Sequence, residues 1–306
     1  MVTLKKRDIR GRTYYYISHT YKAQGKVKYK ELYLGTEVPK DIEKLKREFL
    51  LQIYEEKWFV AFKEIKEEYQ KQIRKMPLEV KKKNLEAFII RFTYDTNRIE
   101  GSKLSFKDTA GLLELGLSPK NRPMRDIKEA EAHRQVFYEM LNYEGDLSLG
   151  LIIKWHRKLF EETKKSMAGK LRDYQVYISG SEFMPPGPEF VESGITGFFE
   201  WYSMGKNKLN AIELAALSHL KFESVHPFGD GNGRIGRLIM NFILNKNGYP
   251  MLDIRYTDRQ SYYNALERSN VKNDGGIFIQ WFFKRYLKEC DIYLRKIEGR
   301  LSAGRV

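Results

Sequence analysis

A histidine, an aspartate and two arginines fall inside twelve consecutive residues, His226-Pro227-Phe228-Gly229-Asp230-Gly231-Asn232-Gly233-Arg234-Ile235-Gly236-Arg237. Gly231 and Gly233 flank Asn232 just ahead of a segment whose apolar residues Ile235, Leu238, Ile239 and Phe242 recur at helical spacing. Glycines there let backbone N–H groups converge on an anion, and a helix N-terminus adds favourable partial charge. Arg234 and Arg237, three apart, share one helix face and add two cations beside that nest. Asp230 on the rim is a hard oxygen donor, suited to a Mg²⁺ whose other ligands are phosphate oxygens and water. His226 is the one group in the segment able to take a proton near neutral pH. Singly, these features have plainer readings, since a Gly-Asn-Gly is often only a loop and a single histidine is more often structural. Together, an anion nest, two arginines, a carboxylate and a base describe phosphoryl or nucleotidyl transfer.

Elements must hold those groups in place, and most of the chain has helical periodicity. The spacing predicts helices over 85–97, 126–141, 149–160, 212–224, 235–244 and 261–270. Upstream, Trp58, Phe62, Ile65 and Tyr69 recur at intervals of 4, 3 and 4, one face of a helix that starts after the N-cap candidate Asp41 and breaks at Pro77. One interruption stands out at 173–188. There Val176-Tyr177-Ile178 precede Ser179-Gly180-Ser181 and then Pro185-Pro186, which predicts a short hairpin ended by the proline pair.

The N-terminal stretch differs in both charge and pattern. Residues 1–36 hold nine Lys/Arg against Asp8 and Glu31, so 9 − 2 = +7 of a total net charge of +15 lies there. Tyr14, Tyr15, Tyr16, Tyr21, Tyr29 and Tyr33 accompany them, and the β-branched and aromatic enrichment predicts a small antiparallel sheet turning at Ala23-Gln24-Gly25. Across all 306 residues the 42% hydrophobic content excludes general disorder. Cys290 is the only cysteine, which excludes a disulfide framework. The basic start lacks the apolar stretch of a secretory signal, and no run approaches the roughly 20 apolar residues of a membrane span. A soluble cytoplasmic protein is expected.

The segment 226–237 resembles the signature of the Fic family, H-x-F-x-[D/E]-G-N-G-R-x-x-R, with every specified position filled. Ala215-Ala216-Leu217-Ser218-His219-Leu220 before it and Leu238-Ile239-Met240-Asn241 after it look like the helices that bracket the family's loop. The resemblance spans approximately 85–285 and implies a protein adenylyltransferase. His226 would be the base that deprotonates a Ser, Thr or Tyr hydroxyl of a target protein, which then attacks the α-phosphate of ATP. Phe228 would fix the loop, and Asp230 would bind Mg²⁺ between the α- and β-phosphates. Gly231, Asn232 and Gly233 would cradle phosphate oxygens while Arg234 and Arg237 hold the β- and γ-phosphates. The 173–188 hairpin looks like the family's flap, which docks an extended target segment by strand addition. Its residues Val176, Tyr177 and Ile178 would face the nucleotide. Tyr262, Tyr263 and Asn270 resemble adenine-site positions, though helix packing explains the tyrosines equally well.

A second motif accompanies the first. Thr96-Asn97-Arg98-Ile99-Glu100-Gly101 matches the family's inhibitory pattern [S/T]-x-x-x-E-[G/N]. The resemblance implies that Glu100 pairs with Arg237 and holds ATP in an unproductive pose. It also admits that Glu100 positions water for removal of AMP, giving a de-AMPylase or a bifunctional enzyme. The expected organisation is a mainly α protein with a helical Fic-type core and a short β-hairpin flap, preceded by a small basic antiparallel β region. Its boundaries are 1–38 for the sheet, 39–84 for a helical connector, 85–290 for the Fic domain with its inhibitory helix at about 85–101, and 291–306 for a tail. A hydroxyl-bearing target protein, self-modification and a homodimer are compatible with the resemblance. A reading of another class, nucleic-acid binding, rests on the basic tyrosine-rich start alone. His19, His133, His156 and His219 form no metal pattern in the sequence and are expected to be structural.

Overall fold

A computed structural model describes residues 2–23 and 26–296. They fall into two compact units, one of residues 2–67 with 293–296 and one of residues 68–292. The connector expected over 39–84 is thus shared between them.

In the first unit β1 (Thr3–Ile9), β2 (Arg12–Ala23) and β3 (Lys26–Gly35) form an antiparallel sheet in that order. The β1–β2 hairpin turns on Arg10 and Gly11, both left-handed at φ 51° and 77°, as the twist of a two-residue hairpin requires. The second turn, expected at 23–25, falls on residues 24 and 25, outside the described residues. Alternation along β2 buries Ile17 and Tyr21 beneath Phe49 and Ile53 of α1 (Ile42–Tyr54). Asp41 stands at the N-cap of α1 but makes no side-chain cap bond. One wide turn, Glu55–Phe59, follows and carries Glu56 to the sheet, where it accepts from the Tyr21 hydroxyl at 2.5 Å and pairs with Lys30 at 2.7 Å. Helix α2 (Val60–Lys75) continues to Pro77, the break read from the sequence.

The second unit is helical. Its elements are α3 (Leu78–Ile99), α4 (Phe106–Leu115), α5 (Met124–Asn142), α6 (Leu149–Phe160), α7 (Val191–Gly205), α8 (Ala211–Val225), α9 (Asn232–Lys246), α10 (Arg259–Val271) and α11 (Gly275–Glu289). Six of these match the periodic segments, while α4, α7 and α11 were not singled out. Helix α4 announces itself by chemistry rather than period, through a reciprocal capping box between Ser105 and Asp108 and a left-handed Gly116 at its end. Helix α9 is buried on nearly every side from Ile235 to Leu244 and packs against α8, α5, α3 and α6. It is therefore the shaft around which α3, α5, α6 and α8 are arranged.

The 173–188 segment corrects the expectation of a strand hairpin. The chain does reverse, through a turn in which the Ser181 N–H donates to the Ile178 carbonyl at 3.1 Å, but no strand ladder joins the two legs. Pro185 and Pro186 have no N–H to donate. Side chains bridge the legs instead, with Gln175 Nε2 donating to the Pro185 carbonyl at 3.1 Å and Arg172 Nη2 to that of Pro186 at 2.7 Å. Among the described residues no helix is long and apolar enough to cross a membrane.

Candidate active site

Helix α8 ends at His226, whose left-handed backbone (φ 49°) turns the chain away before Pro227. Six residues later α9 begins, with Gly231 as its N-cap at φ 79°. A side chain at Gly231 is barred twice over, by that φ and by the Phe160 ring, which a Cβ there would meet at 2.4 Å. The loop is tied shut by Asn232. Its Oδ1 accepts from the Phe228 N–H at 2.9 Å and its Nδ2 donates to the Phe228 carbonyl at 2.7 Å. The Asn232 side chain is consequently committed to the loop, which leaves backbone N–H groups as its means of meeting an anion.

Phe228 is fully buried and stacks on His156, ring centroids 3.8 Å apart and planes within 10°. The Gly169 N–H donates to Nδ1 of His156 at 2.9 Å, so Nε2 carries the proton and donates to the Asp230 carbonyl at 3.0 Å. Burial pulls the His156 pKa down to about 4, which keeps this tautomer neutral. Arg172 pins the loop from the other side. Its Nε donates to the His226 carbonyl at 2.8 Å, its backbone N–H to that of Pro227 at 3.0 Å, and its remaining nitrogens to Tyr174 and Pro186. One buried guanidinium thereby joins the loop to the reversal at 173–188.

The His226 ring is mostly buried, and burial pulls its pKa below the usual value against the opposing pull of the Glu223 carbonyl and Glu100. Nδ1 lies 3.3 Å from the Glu223 carbonyl oxygen, which assigns the proton to Nδ1 and leaves the Nε2 lone pair free. Burial opposes the charge of Asp230 as well, but Arg234 and Lys164 outweigh it and hold the carboxyl below its ordinary range. Asp230 pairs with Lys164 and, at 3.2 Å, with Arg234. Arg234 is also held by the buried carboxylate of Glu129, and Lys164 lies 3.4 Å from the same group. Asp230 and Glu129 thus meet Arg234 and Lys164 along a cleft that Asn97, Glu100, Arg125 and Asp126 also line.

Arg237 is 1% exposed, and its guanidinium is fully engaged. Nε donates to Thr96 Oγ1 at 2.5 Å, Nη2 to the Thr96 carbonyl at 3.1 Å, and Nη1 to the Tyr262 hydroxyl at 3.3 Å. Glu100 Oε1 lies 2.6 Å from Nη2. Burial works against the charge of Arg237, but Tyr262 and Glu100 outweigh it and raise its pKa above the ordinary value. A Cβ on Gly233 would come within 2.2 Å of the same Glu100 oxygen. The glutamate carboxylate therefore sits against the first turn of α9, where the bare glycine backbone and the helix N-terminus receive an anion.

Not every expected residue faces that anion position. Tyr262 is buried at 1% exposure with its hydroxyl 2.6 Å from His219 Nε2, so its ring belongs to the packed interior rather than to an open base platform. Tyr263 donates to the Ile99 carbonyl at 3.1 Å, clamping the end of α3, and Asn270 Oδ1 accepts from Ser224. Tyr177 is 76% exposed on the reversal, with Val176 and Ile178 half-buried beside it. For Mg²⁺ the fit is to a single protein oxygen donor. Among the described residues no group of three or more His, Cys, Asp or Glu could hold a metal, so Asp230 would share the ion with phosphate oxygens. Glu129, Lys164 and Arg172 went unread in the sequence, and His156 was read there only as structural. Of these, only Arg172, just ahead of the interruption at 173–188, had a signal in its position.

Residues 146–244 match the family model described as Fic/DOC family. The chain is 33% identical over 206 residues to a protein named protein adenylyltransferase Fic from Nematostella vectensis, covering 66% of this chain and 48% of that one. It is 32% identical over 223 residues to protein adenylyltransferase fic-1 from Caenorhabditis briggsae, covering 70% of this chain and 43% of that one. The chain thus spans about half the length of these relatives. Among solved structures, a Fic domain containing signaling protein from Bacteroides thetaiotaomicron superposes with a TM-score of 0.69 at 27% identity, over 77% of this chain and 97% of the other. A structure of Fic-1 from C. elegans shares the fold, with a TM-score of 0.64 over 83% of this chain and 72% of the other at 24% identity.

Proposed function

This chain carries a Fic domain, and we propose that the domain transfers AMP from ATP to a Ser, Thr or Tyr hydroxyl of a target protein. The observation that carries the reading is a neutral His226, its Nδ1 proton held by the Glu223 carbonyl, beside a glycine-lined helix N-terminus built to receive an anion. His226 Nε2 takes the proton from the target hydroxyl. That oxygen forms a bond to the α-phosphorus, the bond to the β-phosphate oxygen breaks, and pyrophosphate leaves. The backbone of Gly231 to Gly233 and the guanidinium of Arg237 receive the negative charge of the phosphates. Bound Mg²⁺ would supply charge neutralisation at the α- and β-phosphates, held on the protein side by Asp230. The reversal at 173–188, with backbone groups not used in any ladder, receives an extended target segment by strand addition.

Glu100 is the brake. Its carboxylate occupies the anion position at Gly233 and engages Arg237, the cation needed by the γ-phosphate. Glu100→Gly removes both the blocking charge and the side chain, and AMP transfer is expected to rise by about tenfold or more. Intact-mass spectrometry after incubation with ATP and Mg²⁺, on the enzyme and on candidate target proteins, reads the result. Equal AMP incorporation by wild type and Glu100→Gly protein would sink the brake. The position of the same carboxylate inside the site favours a second reading, in which Glu100 holds a water for removal of AMP. Loss of AMP from a pre-modified target with wild-type protein, and none with Glu100→Gly, would identify that direction.

A further inference from the structure

The site described above leaves unused the sheet of the first unit, whose two faces differ in kind. Cross-strand pairing places Lys5, Arg7, Arg12, Tyr14 and Tyr16 on one face together with Tyr29 and Tyr33. The opposite face carries Ile17 and Tyr21 into the core under α1. On the open face the rings cluster, with Tyr33 5.2 Å from Tyr16 and 6.2 Å from Tyr14 between centroids. Cations lie over them, Arg7 4.6 Å from the Tyr16 centroid and Lys5 5.1 Å from that of Tyr29. Tyr29 and Tyr33 remain about half exposed, four residues apart on one strand and therefore about 13 Å apart along it. The face has one carboxylate, Glu31, and it is taken up by Arg7 at 2.6 Å and by the Tyr29 hydroxyl.

We propose that this open face binds single-stranded nucleic acid, with bases stacked on Tyr29 and Tyr33 and phosphates met by Lys5 and Arg12. On this face Lys5, Arg7 and Arg12 stand against the single Glu31, a positive balance that favours a polyanion. The choice among polyanions comes from the rings. A bare phosphate makes no use of two half-exposed tyrosines on an open sheet, whereas unstacked bases regain on them the stacking they lose in a single strand. A duplex presents its phosphates but keeps its base faces covered, so it cannot use the rings either.

The test is fluorescence anisotropy of the full chain with a labelled single strand of about 12 nucleotides and with the matching duplex. Binding to the single strand is expected at low salt, tighter than to the duplex, and weakening by about tenfold or more between roughly 50 and 200 mM salt. Tyr29→Leu with Tyr33→Leu, which keeps apolar surface but removes the rings, should weaken it by about tenfold or more. Lys5→Gln with Arg12→Gln keeps every ring, though it removes the cation over Tyr29, and should lessen the salt dependence. No binding at low salt, tighter binding to the duplex, or undiminished affinity in the leucine pair each overturns the proposal, as does an unchanged salt dependence in the glutamine pair. These residues lie outside the Fic site, so AMP transfer in the Glu100→Gly background should be unchanged by either pair. The two readings fail separately.

Discussion

The loop at 226–231 and the reversal at 173–188 both lack regular structure, yet they are built in opposite ways. In the loop Asn232 satisfies both backbone groups of Phe228, His156 stacks on the Phe228 ring and holds the Asp230 carbonyl, and Arg172 holds two more carbonyls. In the reversal the legs are bridged by two side chains and Tyr177 projects into solvent. A loop that must hold a base and an anion nest in fixed relation gains from rigidity, because donors already in position need no reorganisation when charge develops. In the reversal the carbonyls of Tyr174, Val176, Pro185 and Pro186 accept from Arg172 and Gln175 and the Glu182 N–H donates to Glu267, but none of these groups joins a strand ladder. Arg172 bonds to both loop and reversal.

Four changes probe that contrast, from the largest expected effect to the smallest. In the Glu100→Gly background, His226→Ala should lower the rate of AMP transfer by about 10²–10⁴ while thermal melting stays near that of the parent. A large loss of stability would show that His226 serves the loop as much as the chemistry. Asn232→Ala should do the reverse and strike stability, by about 2–4 kcal/mol in urea titration, because it leaves the buried N–H and C=O of Phe228 unpaired. A cost near zero would mean the loop is not held as described.

The third change uses pH. Burial, reinforced by Glu100, pushes the Glu223 carboxyl up to about 8 from 4.5. A raised carboxyl pKa favours the folded state while the group is protonated, so that contribution is full below about pH 4.5 and is lost as pH rises towards 8. Glu223→Gln stays neutral throughout. Its melting temperature relative to wild type should therefore increase across that window, at roughly 2–4 °C per kcal/mol. A difference independent of pH would place the ionised carboxylate in a polar setting. Last, Tyr177→Ala on the reversal should leave stability within about 0.5 kcal/mol, yet raise KM for a protein target severalfold. An unchanged KM in steady-state transfer would remove Tyr177 from the docking surface.

Much of this was legible because it is local. The start of α9 follows from Gly231 and an apolar period, the end of α8 from Pro227, and the break before α3 from Pro77. Thr96 and Glu100, four apart, both reach Arg237 because one helical turn places them on one face. What misled was also local. Val176-Tyr177-Ile178 has strand composition, but a strand needs a partner with N–H groups, and the returning leg brings Pro185 and Pro186. Tyr262 sits on a helix face that could as well have met a nucleotide, and only the packing of α10 turned it inward against His219 and Arg237.

By itself, then, the sequence offered a histidine able to take a proton, a glycine-flanked helix start, two arginines and one carboxylate, all within twelve residues, while Glu100 entered only through the resemblance to an inhibitory pattern. The tertiary structure decided the state of those groups. Glu129 reaches Arg234 from 105 positions away, Glu100 reaches Arg237 from 137, and His156 reaches the Asp230 carbonyl from 74. Such partners leave no periodic trace in the chain. Charge and protonation depend on burial and on which counter-group lies within a few ångströms, and only the packed helices bring those together.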